Sequence, residues 1–598
     1  MLDLAPTRTA ELWLEKFGAA LEARDIDAAM ALFGPECFWR DMLAFTWNIM
    51  TAEGPDAVRD LLRSTLAEAS PTAWAIAGEA AAEDGVVEAW FTFETKLGRC
   101  EGAVRLRGGH AHTVFTALRE LKGFEERRGA TRPLGVRHGA DRARETWGER
   151  RARSQAALGT SEQPYVVIIG GGQGGIMLGA RLKQLGVPTV ILETNARAGD
   201  SWRNRYRSLV LHDPVWYDHF PYIPFPAHWP VFTPKDQMGD WMEMYARVME
   251  LDFWGSSAAR HASFDEATKR WTVEVERWGE GEQRTVTLQP HHLVFATGAY
   301  GPPRMPDFAG RESFAGQVIH SSRYKGADEF AGKRVAVIGS ASSAHDIAVD
   351  LWEAGVDVTM VQRSPATVVR SSTLMELGFP TYSEDAVARG IDVDRADLIG
   401  ASTPMALVTE GQKKLYAVIR KRDAAFYEAL AASGFLLDFG EDESGQMMKA
   451  MRTGSGYYID VGASDLIAKG EIKVVSGAGV ERLSPEGLLL SDGRTVACDA
   501  VIASTGFQSM HETVAEIVSR EVADRVGPCW GLGSGVRGDP GPWQGEPRNM
   551  WKPTAQEALW FQGGNLALSR FNSRFLALQL KARLEGLPTP VYGKPSNS

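Results

Sequence analysis

Tyr165-Val166-Val167-Ile168-Ile169-Gly170-Gly171-Gly172-Gln173-Gly174-Gly175 is the stretch that decides how this chain is read. A short apolar run rich in β-branched residues leads into a glycine turn, and a helical pattern follows through Leu185. Gly170, Gly172 and Gly175 satisfy G-x-G-x-x-G: the first permits a tight turn, the second lets backbone approach a pyrophosphate, and the third lets helix and strand pack closely. The free N–H groups at the helix start, from Gln173 onward, then face the phosphates. A second strand, Pro188 to Leu192, ends in Glu193, close to the roughly 20 residues past the last glycine at which a carboxylate grips a ribose. Strand, turn, helix and acid in register predict a dinucleotide cradle.

The pattern occurs again. Arg334-Val335-Ala336-Val337-Ile338 reads as a buried strand, followed by Gly339-Ser340-Ala341-Ser342-Ser343-Ala344-His345-Asp346 and a helix to Ala354. Ala341 and Ala344 replace the second and third glycines, and a methyl at Ala341 narrows the approach to a pyrophosphate, so weaker binding is expected here. The following strand, Val358 to Val361, ends in Gln362-Arg363-Ser364 instead of an acid. Arg363 and Ser364 can accept a 2′-phosphate that a carboxylate would repel, which favours NADPH over NADH. Gln362 can equally hydrogen-bond a ribose hydroxyl, so use of both coenzymes stays open. Leu293 to Gly298 and Val501 to Gly506, two strands ending in small residues, look like paired crossover points after the two units.

At 598 residues the chain exceeds one hydrophobic core, and its composition is that of a folded protein. A net charge of −11 would repel phosphate backbones and anionic lipid, weighing against nucleic acid and membrane surfaces as partners. No signal-like start and no long apolar run is present, so no stable membrane insertion is expected and the cytoplasm is the simplest address. Cys37, Cys100, Cys498 and Cys529 are far apart and form no C-x-x-C pair, which suits a reducing compartment and sets aside disulfide reduction. No metal site is expected.

Ahead of the first cradle, Trp13, Phe17 and Leu21 recur at helical spacing and a second short helix is expected around Met30 to Phe33. Val87, Ala89, Phe91 and Phe93 alternate as a half-buried strand, and Arg99 to Arg107 and Thr113 to Leu118 read as further strands. Helices followed by antiparallel strands predict an α+β domain over residues 1–122. Residues 123–162, rich in arginine (Arg127, Arg128, Arg132, Arg137, Arg142, Arg144, Arg150, Arg151, Arg153) and poor in apolar periodicity, read as a linker.

Phe314-Ala315-Gly316-Gln317-Val318-Ile319-His320-Ser321-Ser322-Arg323-Tyr324-Lys325 fits F-x-G-x-x-x-H-x-x-x-Y-K and is similar to the fingerprint of class B flavin-containing monooxygenases. Gly199-Asp200-Ser201-Trp202, Leu211-His212-Asp213-Pro214 and Trp560-Phe561-Gln562-Gly563-Gly564-Asn565-Leu566 extend the resemblance over about 163–598. Phe33 to Asn48 loosely resembles the start of a cone-shaped SnoaL-like domain, and with it the chain most resembles the type II group of that family. The resemblance implies an α/β fold with two dinucleotide-binding Rossmann-type domains, one inserted in the other, preceded by that α+β domain. FAD would be held by residues 163–329 and 498–598, and NADPH by 330–497. FAD contacts are expected from Gly170, Gly172, Gln173, Gly175, Glu193, Trp202, Thr297, Gly298, Gly564 and Asn565. NADP contacts are expected from His320, Tyr324, Gly339, Ser340, Ala341, Ser342, Ser343, Gln362, Arg363 and Ser364, with His320 and Tyr324 also serving as a hinge.

The implied reaction uses NADPH, with NADH as a second coenzyme, and O2 to oxygenate a small organic substrate through a peroxyflavin, with His212 and Asp213 beside the flavin. Ketone to ester or lactone is the leading expectation. N- or S-oxygenation and oxidative decarboxylation of a 2-oxo acid are alternatives, and a redox-inactive flavin or small-molecule binding protein is the rival from another class. The front domain, where Asp41, His110 and His112 could line a cone, is expected to shape a subunit contact in a homo-oligomer or to shield the substrate entrance.

Overall fold

The computed structural model describes residues 5–136, 138–279, 283–298 and 301–593. Its first nucleotide unit is a five-stranded parallel sheet in the order Phe253–Trp254, Thr189–Leu192, Val166–Ile169, His292–Phe295, Leu559–Phe561. The four residues of Val166–Ile169 are all buried, as a strand covered on both faces requires. Helix Gln173–Gln184 packs against the long helix Leu566–Leu584. A three-stranded antiparallel sheet, Ser257–Asp265, Arg270–Arg277 and Arg284–Leu288, completes the unit.

The second unit is also parallel, in the order Gln317–His320, Ala500–Ala503, Arg334–Ile338, Asp357–Gln362, Lys473–Ser476. This corrects the expected boundaries: Gln317–His320 and Ala500–Ala503, assigned by sequence to the first unit, both pair within the second sheet. Small-residue strand ends do not reveal which sheet will claim them, because pairing is settled by neighbours distant in sequence. Between strands Ala366–Arg370 and Tyr457–Asp460 the chain inserts a layer of helices, including Ser371–Leu377, Val393–Ala401, Met405–Arg422 and Gly445–Thr453.

The front domain carries helices Pro6–Glu22, Ile26–Met30 and Pro55–Ala69 against a sheet of seven strands, with the chain reversing through Val86–Glu94, Gly98–Arg107 and His110–Leu121. The second helix ends at Met30, and Phe33 already begins a strand. Aromatic rings fill the interior: Phe17, Trp39, Phe91 and Phe93 are at most 1% exposed, and Trp74 stacks on Phe93 at 4.5 Å. Asp41 is consumed there, accepting from the hydroxyls of Thr46 and Thr116 at 2.6 Å each and from the Phe45 and Thr46 amides. His110 is exposed, while His112 is buried with Nδ1 at 3.1 Å from the Glu36 carbonyl. The three residues form no shared site.

The arginine-rich linker holds a helix, Trp147–Ala157, opened by a capping box in which Thr146 and Glu149 satisfy each other's backbone N–H. Arg151 donates to the carbonyls of Glu250 and Leu251, tying that helix to the first unit. Arg137 lies outside the described residues. Among the described residues no helix is long and apolar enough to cross a membrane.

Candidate functional site

A cavity of about 900 Å³ opens between the first glycine turn and the inserted helices. Gly170, Gly172, Gln173 and Gly174 form one wall, Thr297 and Gly298 follow from the strand ending at Phe295, and Gly563 to Asn565 close the floor. Ser343, from the second turn, reaches the same space. The inserted helices contribute Leu374, Leu415, Met447 and Met451 as an apolar roof.

The three glycines do three different things. Gly170 has φ +110°, and a Cβ there would meet the Ala296 carbonyl at 2.4 Å. Gly175 could not carry a Cβ either, since it would stand 2.0 Å from the Gly170 carbonyl. A Cβ on Gly172 would meet nothing nearer than Ser201 Oγ at 4.0 Å, so this glycine faces open cavity, where a pyrophosphate needs close access to backbone. Two buried hydroxyls at the cavity wall, Ser201 Oγ and Thr297 Oγ1, have no partner among the described residues. Unused polar groups beside an open glycine suit a dinucleotide.

Glu193 is pinned by its surroundings: Oε2 accepts from the Gly171 amide at 2.8 Å, and Oε1 from the amide and side chain of Asn195 at 2.8 and 2.7 Å. These bonds orient a carboxylate that also lines the cavity. Trp202 donates its indole N–H to Gln173 Oε1 at 3.2 Å. Asn565 caps the helix Leu566–Leu584 through the Leu568 amide and donates to the Tyr217 hydroxyl at 3.2 Å. The ten residues expected to hold the first nucleotide are thus brought together, nine around the cavity and Gly175 beneath it.

The second set is more scattered. Gly339 has φ +130°, Ala341 stands at the N-cap position of the helix Ser342–Glu353 without a side-chain cap, and Ser504 Oγ is buried beside Gly339 without a partner among the described residues. Ser342 donates to the Tyr457 carbonyl at 3.1 Å, whereas Ser343 faces the cavity. Arg363 is exposed and Ser364 half-buried at the end of strand Asp357–Gln362. Gln362 departs from expectation: it is fully buried, donating to the Leu436 carbonyl at 2.8 Å and accepting from the Leu436 amide at 2.7 Å, so its amide is already spent. Tyr324 is likewise a core residue, 1% exposed and bonded to Asp350. His320 donates Nε2–H to the Gly506 carbonyl at 3.0 Å and meets Phe507 edge to face, so it reaches the cavity only through Phe507.

His212 and Asp213 part company. The imidazole of His212 stands 3.4 Å from Asp346 Oδ1 and is not among the residues lining the cavity. Asp213 does line it, and burial raises its carboxyl from 3.8 to about 6, opposed by the nearby His212 charge. Asp218, next to it electrostatically, is pushed up further by burial and by Asp213, with Arg570 opposing.

Sequence reading missed the roof, and it missed Arg205, the only lysine or arginine among the described residues of the lining. Arg205 lies among Arg203 and Arg207 in an arginine-rich run and is itself exposed, and nothing in the sequence of that run marks it as facing the cavity. Trp530 and Tyr382 were equally silent.

A family model described as pyridine nucleotide-disulphide oxidoreductase matches residues 275–436. All four cysteines are buried and unpaired, and none lines the cavity. Indole-3-pyruvate monooxygenase YUCCA1 of Oryza sativa subsp. japonica is 31% identical over 349 residues, which is 58% of this chain and 77% of that protein. Probable indole-3-pyruvate monooxygenase YUCCA7 of Arabidopsis thaliana is 30% identical over 348 residues, 57% of this chain and 74% of that protein. The epsilon-caprolactone-bound crystal structure of cyclohexanone monooxygenase in the Loose conformation superposes with a TM-score of 0.50 at 16% identity, covering 71% of this chain and 88% of that one, a likeness of fold.

Proposed function

Because this chain belongs to the flavin-dependent monooxygenases, which hold FAD and use NAD(P)H, we propose that its cavity oxygenates a small uncharged organic substrate, foremost a ketone to give an ester or lactone. The observation that carries this reading is the single cavity of about 900 Å³ shared by the first glycine turn, Ser343 of the second, and an apolar roof. FAD, when bound, would supply the hydride acceptance from the nicotinamide and the O2 activation that an oxygenation needs. Everything else falls to the protein.

Gly172 and the first amides of helix Gln173–Gln184 would take the FAD pyrophosphate, with Glu193 turned to a ribose and Ser201 and Thr297 offering free hydroxyls. The second turn would take NADP, with Arg363 and Ser364 near the adenosine phosphate and Arg205 as a cation between the two nucleotides. Leu374, Leu415, Met447, Met451 and Trp530 keep water from the reacting centre. Asp213 can hold a proton on its carboxyl oxygen near pH 6 and is the remaining candidate for proton transfer, while His212 holds the seam between the units.

A second reading, oxidative decarboxylation of a 2-oxo acid, is favoured by the names of the plant relatives. It would need a cation for the substrate carboxylate, and Arg205, which the nucleotides also claim, is the only one among the described lining residues. The filled aromatic interior of the front domain speaks against a binding protein that captures its ligand there, and its α+β layering supports, as part of this proposal, a SnoaL-like domain. Four buried, unpaired thiols support a cytoplasmic address. Aerobic turnover with NADPH against a panel of ketones, sulfides and 2-oxo acids, with products identified by mass, tests the proposal. Ester or lactone is expected; sulfoxide or decarboxylated acid alone would replace it.

A further inference from the structure

Arg40 sits where three parts of the molecule meet. It belongs to strand Phe33–Met42 of the front domain and is 6% exposed. Its Nε and Nη2 each donate to one oxygen of Glu546 at 2.7 Å, and its Nη1 donates to the Ala401 carbonyl at 2.6 Å. Glu546 lies in the segment that continues from Trp530, itself a cavity residue. Ala401 ends the helix Val393–Ala401, part of the inserted layer.

The grip on that helix end is doubled. Arg105 donates to the carbonyl of Ser402 at 3.0 Å and to its hydroxyl at 2.8 Å, and at the helix's other end Arg395 lies 3.8 Å over the ring of Trp90. The last carbonyls of a helix lack internal donors and carry partial negative charge, so two guanidinium groups from another domain satisfy them and attract them. Midway along the helix, Asp397 receives Arg570 through two bonds of 2.9 and 2.7 Å and also accepts from the Tyr382 hydroxyl at 2.8 Å. Tyr382 meets Tyr217 edge to face at 4.9 Å, and both rings line the cavity. An unbroken run of packed, hydrogen-bonded groups thus joins the front domain to the cavity wall.

We propose that Arg40 is a positioning residue, and that through it the front domain acts as a strut setting the inserted helices over the cavity and sealing it from water. This rests on the reading of the cavity as the oxygenation site. A planar fork reaches Glu546 and Ala401 together, which a lysine ammonium on one flexible stem does not reproduce. Because the bonds are buried, water cannot replace them without opening the seam.

The test uses the FAD-loaded full-length protein. Arg40→Lys keeps a cation against Glu546, and Arg40→Met with Glu546→Met removes both partners of the pair together while Lys552, whose pKa burial already lowers, can shed its proton, so both variants retain the fold. Expected for each is amide hydrogen exchange about fivefold or more faster in residues 374–382 and 393–402, with 166–184 unchanged. Peroxide formed per NADPH consumed should rise about twofold to fivefold while the KM for NADPH stays put. Unchanged exchange in the two segments, faster exchange spread equally over 166–184, or an unchanged peroxide ratio would each overturn the strut. A wild-type protein that takes up no FAD defeats the functional reading instead, and the exchange comparison then decides the strut alone.

Discussion

His212 Nε2 lies 3.4 Å from Asp346 Oδ1, tying a loop of the first nucleotide unit to the helix that begins at the turn of the second. Tyr206 reinforces the tie, donating its hydroxyl to Asp346 Oδ2 at 2.7 Å. The seam is polar and largely buried, so its bonds matter more than their number suggests.

Replacing His212 with alanine should therefore weaken coenzyme binding rather than leak oxygen. We expect the KM for NADPH to rise about threefold to tenfold, the effect of losing roughly 1 kcal/mol of polar contact. Steady-state kinetics on NADPH decide this. Normal KM with increased peroxide would return His212 to the flavin edge.

The glycines should separate in their failures. Gly172→Ala adds a methyl to open cavity, so the protein should fold with its usual melting temperature but bind FAD about tenfold or more weakly. Gly175→Ala places a Cβ 2.0 Å from the Gly170 carbonyl and should lower the melting temperature or prevent folding. Flavin content and apoprotein thermal unfolding, measured side by side, check the contrast; equal FAD affinity in Gly172→Ala would remove that wall from the pyrophosphate.

At the second site, Arg363→Ala should raise the KM for NADPH about tenfold and leave that for NADH unchanged, since only the former carries the 2′-phosphate. Gln362→Ala should do neither. It strands the Leu436 amide and carbonyl in the interior and should cost about 1–3 kcal/mol of stability with coenzyme preference intact.

Asp213 gives a pH dependence of known sign. Burial raises its carboxyl from 3.8 to about 6, so the folded protein keeps a proton that the unfolded chain releases. Its stabilising contribution is fully present below about pH 4 and is lost as pH rises through about 6. Asp213→Asn should flatten that decline, raising the melting temperature at neutral pH by an amount equivalent to at most about 3 kcal/mol. Parallel unfolding curves for wild type and variant from pH 4 to 8 would refute the assignment.

What could be read in advance follows from where the physical constraint resides. The first cradle was legible because its demands fall within one short turn: a positive φ at Gly170, open access at Gly172 and a close approach to the Gly170 carbonyl at Gly175. The helix Trp147–Ala157 went unseen behind its arginines, although Thr146 and Glu149 spell a capping box in the sequence. Gln362 was misjudged because its partner, Leu436, lies in a stretch whose return to that strand is set by tertiary packing. The roof was invisible for the same kind of reason: helical periodicity announces a buried face but not what it faces. His212 and Asp213 are adjacent in sequence, yet they point to different places, a matter of loop geometry that no spacing rule encodes.

Tyr592 returns to the front domain, its amide donating to the Thr46 carbonyl and its own carbonyl accepting from Asn48. Together with Arg40 and Glu546, this fixes an order of manufacture. On the ribosome the front domain can fold early, but its docking face lacks Glu546 and Tyr592 until residues 546–592 have been made. Until then the guanidinium of Arg40, buried in the finished protein, stands in water on a nascent chain, and the seam closes only after nearly all of both nucleotide units has been synthesised.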